Sequence, residues 1–394
     1  MSRDPLGHRA VLTSTRPDGR RSRTSWLRLD LGLFIGAAGL SLIGVVLVWS
    51  ATRETHGAGL ALKQLLAVGI GMVCALGVTR LDVRIVRALA PVVYVLAVIG
   101  LVAVLSPLGS TVNGSRSWIR LPGGFTLQPS ELMKVALAIG LAMLLAERAD
   151  RGLRQRHRDI ALAWVVAGIP IVLVLAQPDL GSALVLVAMA VVVIAAAGAP
   201  WPWTVAVVAL GAGVTAAAFT TSLLSTYQSN RLRAFLDPSL DPQGLGYQTR
   251  QVRLAIGSGG LSGQGLFAGR QTQGGYIPFQ ETDFIFSVAG EELGFVGALG
   301  LVLLIGFIVV RAAVVARSAD TFGRLVSLGI AAWLGVQAFE NIGMNLGLTP
   351  VTGLPLPFVS YGGSSMIASW IAVGLVGLVG TVGSATARRG PRRG

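Results

Sequence analysis

The sequence predicts an all-α integral membrane protein of about ten transmembrane helices, with a large outer loop between the seventh and the eighth. Three observations predict it. Hydrophobic residues make up 53% of the 394 and charged residues only 13%, far from the balance of a globular domain. Apolar windows about 20 residues long, enough to cross about 30 Å of hydrocarbon, recur along the chain. Arginine clusters alternate with those windows, as a positive-inside topology requires.

In order, residues 1–28 are polar and basic without apolar periodicity, and read as a disordered cytoplasmic tail. The membrane domain covers 29–385, with spans at 31–51, 60–79, 88–106, 131–146, 160–176, 180–199, 203–222, 284–310, 325–346 and 364–384. No small-residue cleavage site follows the first apolar run, so it reads as an uncleaved anchor. The fifth and sixth spans are divided only by Gln177-Pro178-Asp179. With 52 glycines, several spans are expected to pack closely through small residues. Residues 386–394 form a second basic tail.

The arginines orient the bundle. Clusters precede the first span and recur at Arg80/Arg84/Arg87, Arg148 to Arg158, Arg311/Arg317/Arg324 and Arg388 to Arg393. With ten spans every cluster falls on one side, which makes both termini cytoplasmic. The formal charge of +14 is thus a topology signal plus attraction to anionic lipid. Scattered over several loops, it does not make a nucleic-acid patch. Cys74 is the single cysteine, which excludes an internal disulfide and a cysteine-based metal site. His8, His56 and His157 are too far apart in topology for a histidine site. No Walker-type phosphate loop is present, which argues against an ATP-driven pump.

Three segments then face outside, 107–130, 223–283 and 347–363. The first carries Trp118, suited to the interface, and Gln128-Pro129-Ser130-Glu131 with Lys134. There Ser130 can cap the next helix and Glu131 suits its N-terminal dipole, a structural role that competes with a catalytic one. The second is too long for an idle connector. It holds Arg231, Arg233, Arg250, Arg253 and Arg270 with the glycine-rich run Gly257 to Gly265, a pattern suited to pyrophosphate or to lipid headgroups. The third, Gly347 to Ser365, has too many prolines and glycines for helix. It reads as a re-entrant turn shaping a cavity wall, because broken backbone at membrane depth must be buried or line a cavity.

The acids supply the chemistry. Asp283 stands at the mouth of an apolar helix, with Glu291 and Glu292 about two turns deeper. An ionised group at a helix centre costs roughly 2.5–3.5 kcal/mol to insert, so such residues mark either function or interhelical pairing. Eight residues from Asp283 is a little over two turns, which puts Glu291 rather than Glu292 on its face. Asp179 at a span boundary reads as structural, and Glu340 in the ninth span as cavity-facing.

Several strings together resemble the SEDS family, the group of FtsW, RodA and SpoVE. They are Gln128 to Glu131 with Lys134, Gln177-Pro178-Asp179-Leu180-Gly181-Ser182, Tyr227-Gln228 with Arg231, and Ala255 to Gly260. Thr282-Asp283-Phe284-Ile285-Phe286 with Glu291-Glu292-Leu293-Gly294, and Pro357 to Ser365, complete the set. They occur in family order from about residue 30 to 385. The string Thr349 to Phe358 looks closest to the RodA branch. Two departures stand out. Phe279 occupies the place where the family often has Glu in its Pro-x-x-x-Thr-Asp motif, and Ser117-Trp118 replaces an Arg-Trp pair, with Arg116 one place earlier.

The resemblance implies a membrane glycosyltransferase that polymerises lipid II into peptidoglycan glycan strands for cell elongation, shape or division, beside a class B penicillin-binding protein. On that basis Asp283 is the expected general base. Lys134, Arg231, Arg250, Arg253, Trp118, Ser360 and Ser364 are the expected substrate contacts, with Gln128, Glu131, Glu291 and Glu292 in support. No cofactor is demanded; a divalent cation could assist the leaving pyrophosphate, although no metal-ligand spacing requires one. The competing readings are a lipid II flippase and a non-catalytic scaffold for the penicillin-binding protein.

Overall fold

The computed structural model describes residues 30–112, 115–220, 235 and 244–387. Arg231, together with Tyr227, Gln228 and Arg233, lies outside the described residues, so its expected role is not addressed by the structure.

Three long helices come first: α1 (Leu31–His56), α2 (Gly59–Thr79) and α3 (Val83–Leu105). Asp30 caps α1 and Asp82 caps α3 by accepting first-turn N–H groups. Within the first segment expected to face outside lies an antiparallel sheet of β1 (Gly109–Val112), β2 (Ser115–Leu121) and β3 (Phe125–Leu127), ordered β1-β2-β3. Thr111, Val112, Trp118 and Ile119 are its β-prone residues in the β1–β2 pair.

Then follow α4 (Pro129–Asp150), α5 (His157–Leu175), α6 (Leu180–Ala196) and α7 (Trp201–Thr220). Gln177-Pro178-Asp179 does separate α5 from α6. The segment after α7 carries α8 (Leu245–Ser258) and the single turn α9 (Arg270–Gln273). The apolar run expected to be one span from 284 is two helices, α10 (Ile285–Glu292) and α11 (Gly294–Ser318). Gly294 at φ +68° breaks it, a conformation glycine reaches without Cβ strain. The bundle closes with α12 (Thr321–Leu346) and α13 (Gly363–Ala387).

Eight of these helices are long and apolar enough to cross a membrane, and α6 is a shorter apolar helix. The helices α4, α12 and α13 form the interior, whereas α3 and α5 turn most of their surface outward, the arrangement expected when lipid solvates the outer face. The basic turns meet at one end of the bundle. Arg311 holds Asp30 at 2.6 Å, Arg87 reaches Asp150 at 3.7 Å and Arg148 reaches Asp159 at 3.2 Å. The sheet and residues 348–362, which have no regular helix or strand, lie toward the connections at the other ends of these helices. In that second segment Leu354, Leu356, Phe358 and Val359 are buried, whereas Leu348 is exposed and residues 349–353 are half-buried.

Candidate active site

A cavity of about 270 Å³ opens among four pieces: the sheet, the α5–α6 turn, the turn before α10 and the segment leading into α13. Lys63, Trp118, Phe125, Gln128, Asp179, Phe279, Asp283, Tyr361 and Ser364 are among its walls. Of the residues expected to form the site, Asp283, Trp118, Gln128 and Ser364 therefore come together.

Asp283 is half-buried and sits in a turn before α10, not on the helix itself. The two-turn spacing to Glu291 thus does not place the two carboxylates on one helical face. The Phe279 carbonyl accepts from the backbone N–H groups of Thr282 and Asp283 at 3.1 Å and of Phe284 at 3.3 Å. Phe279 itself has φ +57°, uncommon for a bulky side chain. Gln280 ties this turn to the end of α1, donating to the Ala51 carbonyl at 2.6 Å. The next three carbonyls are taken from outside the turn. Tyr361 N–H donates to Glu281 at 2.8 Å, Ser360 Oγ to Thr282 at 2.6 Å, and the amides of Asn341 and Asn345 to Asp283 at 2.9 and 3.1 Å.

Ser360 was expected to touch substrate, but its hydroxyl is already used. Besides donating to Thr282 it accepts from Leu356 N–H at 2.7 Å, and the residue is buried. Ser364 does face the cavity, and holds the sheet by accepting from Gln128 N–H and donating to the Thr126 carbonyl.

Lys134 departs furthest from its expected place. It is fully buried, outside the cavity walls, with Nζ 2.6 Å from Glu131 Oε1 and 2.7 Å from Gln337 Oε1. It also lies 5.4 Å from the Trp333 ring centroid. Its charge is met by Glu131 and Gln337 inside the bundle, away from the residues that wall the cavity. Glu131 is likewise enclosed as its partner.

Arg250 and Arg253 are exposed on α8 and stand outside the cavity; the Arg253 guanidinium packs over Gly347. The glycine-rich run after them packs closely on the α10–α11 break. A methyl at Gly259 would strike the Gly290 carbonyl, and one at Gly263 the Glu292 carbonyl. The run caps the α10–α11 break: Gln264 and Gly265 donate to the carbonyls of Glu291 and Glu292, and Gly260 accepts from Phe295.

Both deeper acids are buried. Glu291 accepts from the N–H groups of Gln271 and Thr272 and from the Thr272 hydroxyl, at 2.7, 2.9 and 2.7 Å. Glu292 accepts from Ser50 at 2.6 Å and Gln273 at 3.1 Å. They fasten α9 and α1 to α10 and do not line the cavity. Glu340, expected to face the cavity, is buried on α12 and is not among its walls.

Sequence reasoning missed Lys63, which brings a cation to the cavity wall from inside α2, with Nζ 5.8 Å from the Phe125 ring centroid. The signal was present: a lone lysine in an otherwise apolar span is costly unless used. Its neighbour Gln64 is fully buried and donates to the Ser360 carbonyl at 2.8 Å. Asp179 also lines the cavity while capping α6 through Ser182 N–H at 3.0 Å. Burial pushes its carboxyl above the ordinary range, against the pull of the Ser182 hydrogen bonds and Lys134. The Tyr361 phenol is pushed up by burial and by nearby Glu281. The unusual serine pair has a structural role: Ser117 shares a 2.6 Å bond with Ser115, which donates to the Gln177 carbonyl. Arg116 turns back to the Ser106 carbonyl at the end of α3.

This architecture has known counterparts. Residues 30–382 match the family model described as FTSW_RODA_SPOVE, cell cycle protein. A probable peptidoglycan glycosyltransferase FtsW from Trichlorobacter lovleyi is 41% identical over 357 residues, covering 88% of this chain and 92% of that protein. The peptidoglycan glycosyltransferase MrdB of Escherichia coli is 34% identical over 366 residues, 91% of this chain and 96% of that one. Among solved structures, a chain from a study of how a peptidoglycan synthase complex coordinates polymerization and crosslinking superimposes with a TM-score of 0.76. It is 35% identical and covers 91% of this chain and 99% of that one. The rod shape determining protein RodA of Thermus thermophilus superimposes with a TM-score of 0.67 at 34% identity, covering 90% and 97%. Relatives carry both FtsW and MrdB names, so the string Thr349 to Phe358 does not by itself choose a branch. With its apolar helices and a match over nearly its whole described length, the chain is a multi-pass membrane protein that belongs to the FtsW/RodA/SpoVE family.

Proposed function

We propose that this chain is a peptidoglycan glycosyltransferase that polymerises lipid II, with Asp283 as general base. The observation that carries the reading is the Asp283 carboxylate, held through its backbone at the wall of a cavity that also presents a cation, Lys63, the aromatic rings of Trp118 and Phe125, and a second acid, Asp179, already used to cap α6. A saccharide needs flat apolar faces and a proton acceptor, and a pyrophosphate needs positive charge. Asp283 takes the proton of the acceptor sugar's 4-hydroxyl as that oxygen attacks the donor's anomeric carbon. The lipid pyrophosphate leaves with its bonding electron pair, and a β-1,4 link forms with inversion. A positioned base contributes about 10²–10⁴-fold, or about 3–5 kcal/mol of barrier.

In this reading Lys63 replaces Lys134, Arg250 and Arg253 as the phosphate-side cation. Trp118 and Ser364 contact the substrate, and Gln128 supports the wall. A divalent cation could accompany the substrate's pyrophosphate, as one or two carboxylates together with phosphate oxygens suffice to hold one. The basic end of the bundle faces the cytoplasm with both termini, which puts the cavity at the outer surface of the cell membrane. The partner is a class B penicillin-binding protein that cross-links the strands, in line with the synthase complex among the structural relatives. The cellular role is wall synthesis in elongation or division.

The test is polymerisation of lipid II by the purified protein, with and without its penicillin-binding partner, comparing wild type with Asp283→Asn. Glycan strands from wild type and none from the variant are expected. A variant as active as wild type would remove Asp283 from this role. An inactive wild type that nonetheless moved lipid II across vesicles would favour the flippase.

A further inference from the structure

The turn that carries Asp283 belongs to neither helix nor sheet, and a loop of that kind would ordinarily place a side chain loosely. Here each consecutive carbonyl from Glu281 to Asp283 is bound from outside the turn, the first two by the adjacent residues Tyr361 and Ser360 and the third by Asn341 and Asn345 of α12. The donors are supported in turn. Asn341 and Asn345 stand one turn apart on α12, and both are fully buried. Asn341 also donates to the Leu354 carbonyl at 2.7 Å, and Asn345 accepts from Ser287 N–H at 3.2 Å on α10. Ser360 is fixed by Leu356 N–H and by Gln64, which grips its carbonyl from α2.

We infer that Asn341, Asn345 and Ser360 are positioning residues: they clamp the Thr282 and Asp283 carbonyls and so set where the Asp283 carboxylate stands in the cavity. The inference rests on the reading of Asp283 as the base. Geometry explains why side chains are used. Backbone that leaves a helix has no ladder to satisfy its carbonyls, and buried amide and hydroxyl donors supply directional bonds at defined points. Asn341 links the base to the segment that forms the facing wall, through Leu354, so the two sides of the cavity are held in one register. A misplacement of about 1 Å is enough to lower turnover by about 100-fold. The clamp acts on the base and not on the cavity's cation or rings, so its loss belongs in turnover rather than in substrate affinity.

The experiment measures kcat and KM for lipid II polymerisation by the full-length protein with its partner present. The variants are Asn341→Leu, Asn345→Leu, Ser360→Ala and Ser360→Thr, with Asp283→Asn run alongside. The expected result is a kcat lowered about 10- to 100-fold in the first three, with KM within about twofold of wild type. Ser360→Thr, which keeps the hydroxyl, should recover most of the turnover. Elution in detergent and the thermal midpoint serve to separate misfolded from mispositioned protein. Should the leucine variants fail to fold, Ser360→Ala against Ser360→Thr decides the matter. Unchanged kcat in folded variants, a defect in KM instead, or equal loss in Ser360→Ala and Ser360→Thr would overturn the clamp. Failure of the base assignment would be seen separately, as full turnover in Asp283→Asn.

Discussion

The ammonium of Lys134 lies 2.6 Å from Oε1 of Glu131, one turn earlier on α4, and neither side chain is exposed. The same ammonium donates to Gln337, whose amide donates to the Pro355 carbonyl at 2.8 Å. A charge pair at the bundle centre thus reaches, through one side chain, the segment that walls the cavity. Removing one partner of a buried pair strands the other charge, at about 3–5 kcal/mol. Lys134→Met is therefore expected to lower the thermal midpoint sharply. The double variant Lys134→Met with Glu131→Gln should recover much of that loss, as read by thermal unfolding in detergent. A single variant that kept its midpoint and lost only substrate affinity would instead make Lys134 a ligand.

Lys63 should behave in the opposite way. It faces the cavity, so Lys63→Met is expected to leave the thermal midpoint almost unchanged while weakening substrate. A hydrogen bond to a charged group contributes about 1.5–3 kcal/mol, which corresponds to about a 10- to 100-fold rise in KM. Direct binding of a lipid pyrophosphate to the two proteins would check it. Equal affinities would place the pyrophosphate elsewhere.

The glycine-rich run offers a test within a few residues. Gly263 at φ +82° has no room for a methyl beside the Glu292 carbonyl. Overpacking costs about 1–3 kcal/mol, so Gly263→Ala should lower the thermal midpoint. Gly257, in α8, has open space at its Cβ, and alanine there should gain about 0.5–1 kcal/mol from helix propensity. A phosphate cradle would predict a different pattern, with both variants losing substrate affinity and neither losing stability.

The raised Asp179 carboxyl has a pH signature. Its folded form holds a proton at pH values where the unfolded chain has released it. The stability it contributes is fully present below the ordinary carboxylate range and is lost as pH rises through the folded value. Asp179→Asn keeps an acceptor for Ser182 N–H, since asparagine caps about as well as aspartate, but carries no charge. Thermal midpoints taken from acid to neutral pH should therefore fall less steeply in the variant than in wild type. Parallel curves would mean that the Asp179 carboxyl titrates normally.

Sequence alone determined the class of this protein: apolar windows and arginine clusters follow from what hydrocarbon admits, and that constraint is local and additive along the chain. It also marked Asp283, because a carboxylate at the mouth of an apolar helix is costly, and it marked 347–363 as non-helical from prolines and glycines. It could not say which charges face each other. Lys134 and Lys63 look alike as lone lysines near apolar helix, yet Glu131 and Gln337 enclose the first and the cavity receives the second. The glycines of 257–265 could have cradled phosphate, and only their packing on residues 290–294 made them a cap. Ser360 could have met substrate until Thr282 and Leu356 took its hydroxyl. Each of these outcomes depends on partners far away in sequence. A buried polar group takes its role from the donors and acceptors around it, and tertiary structure supplies those.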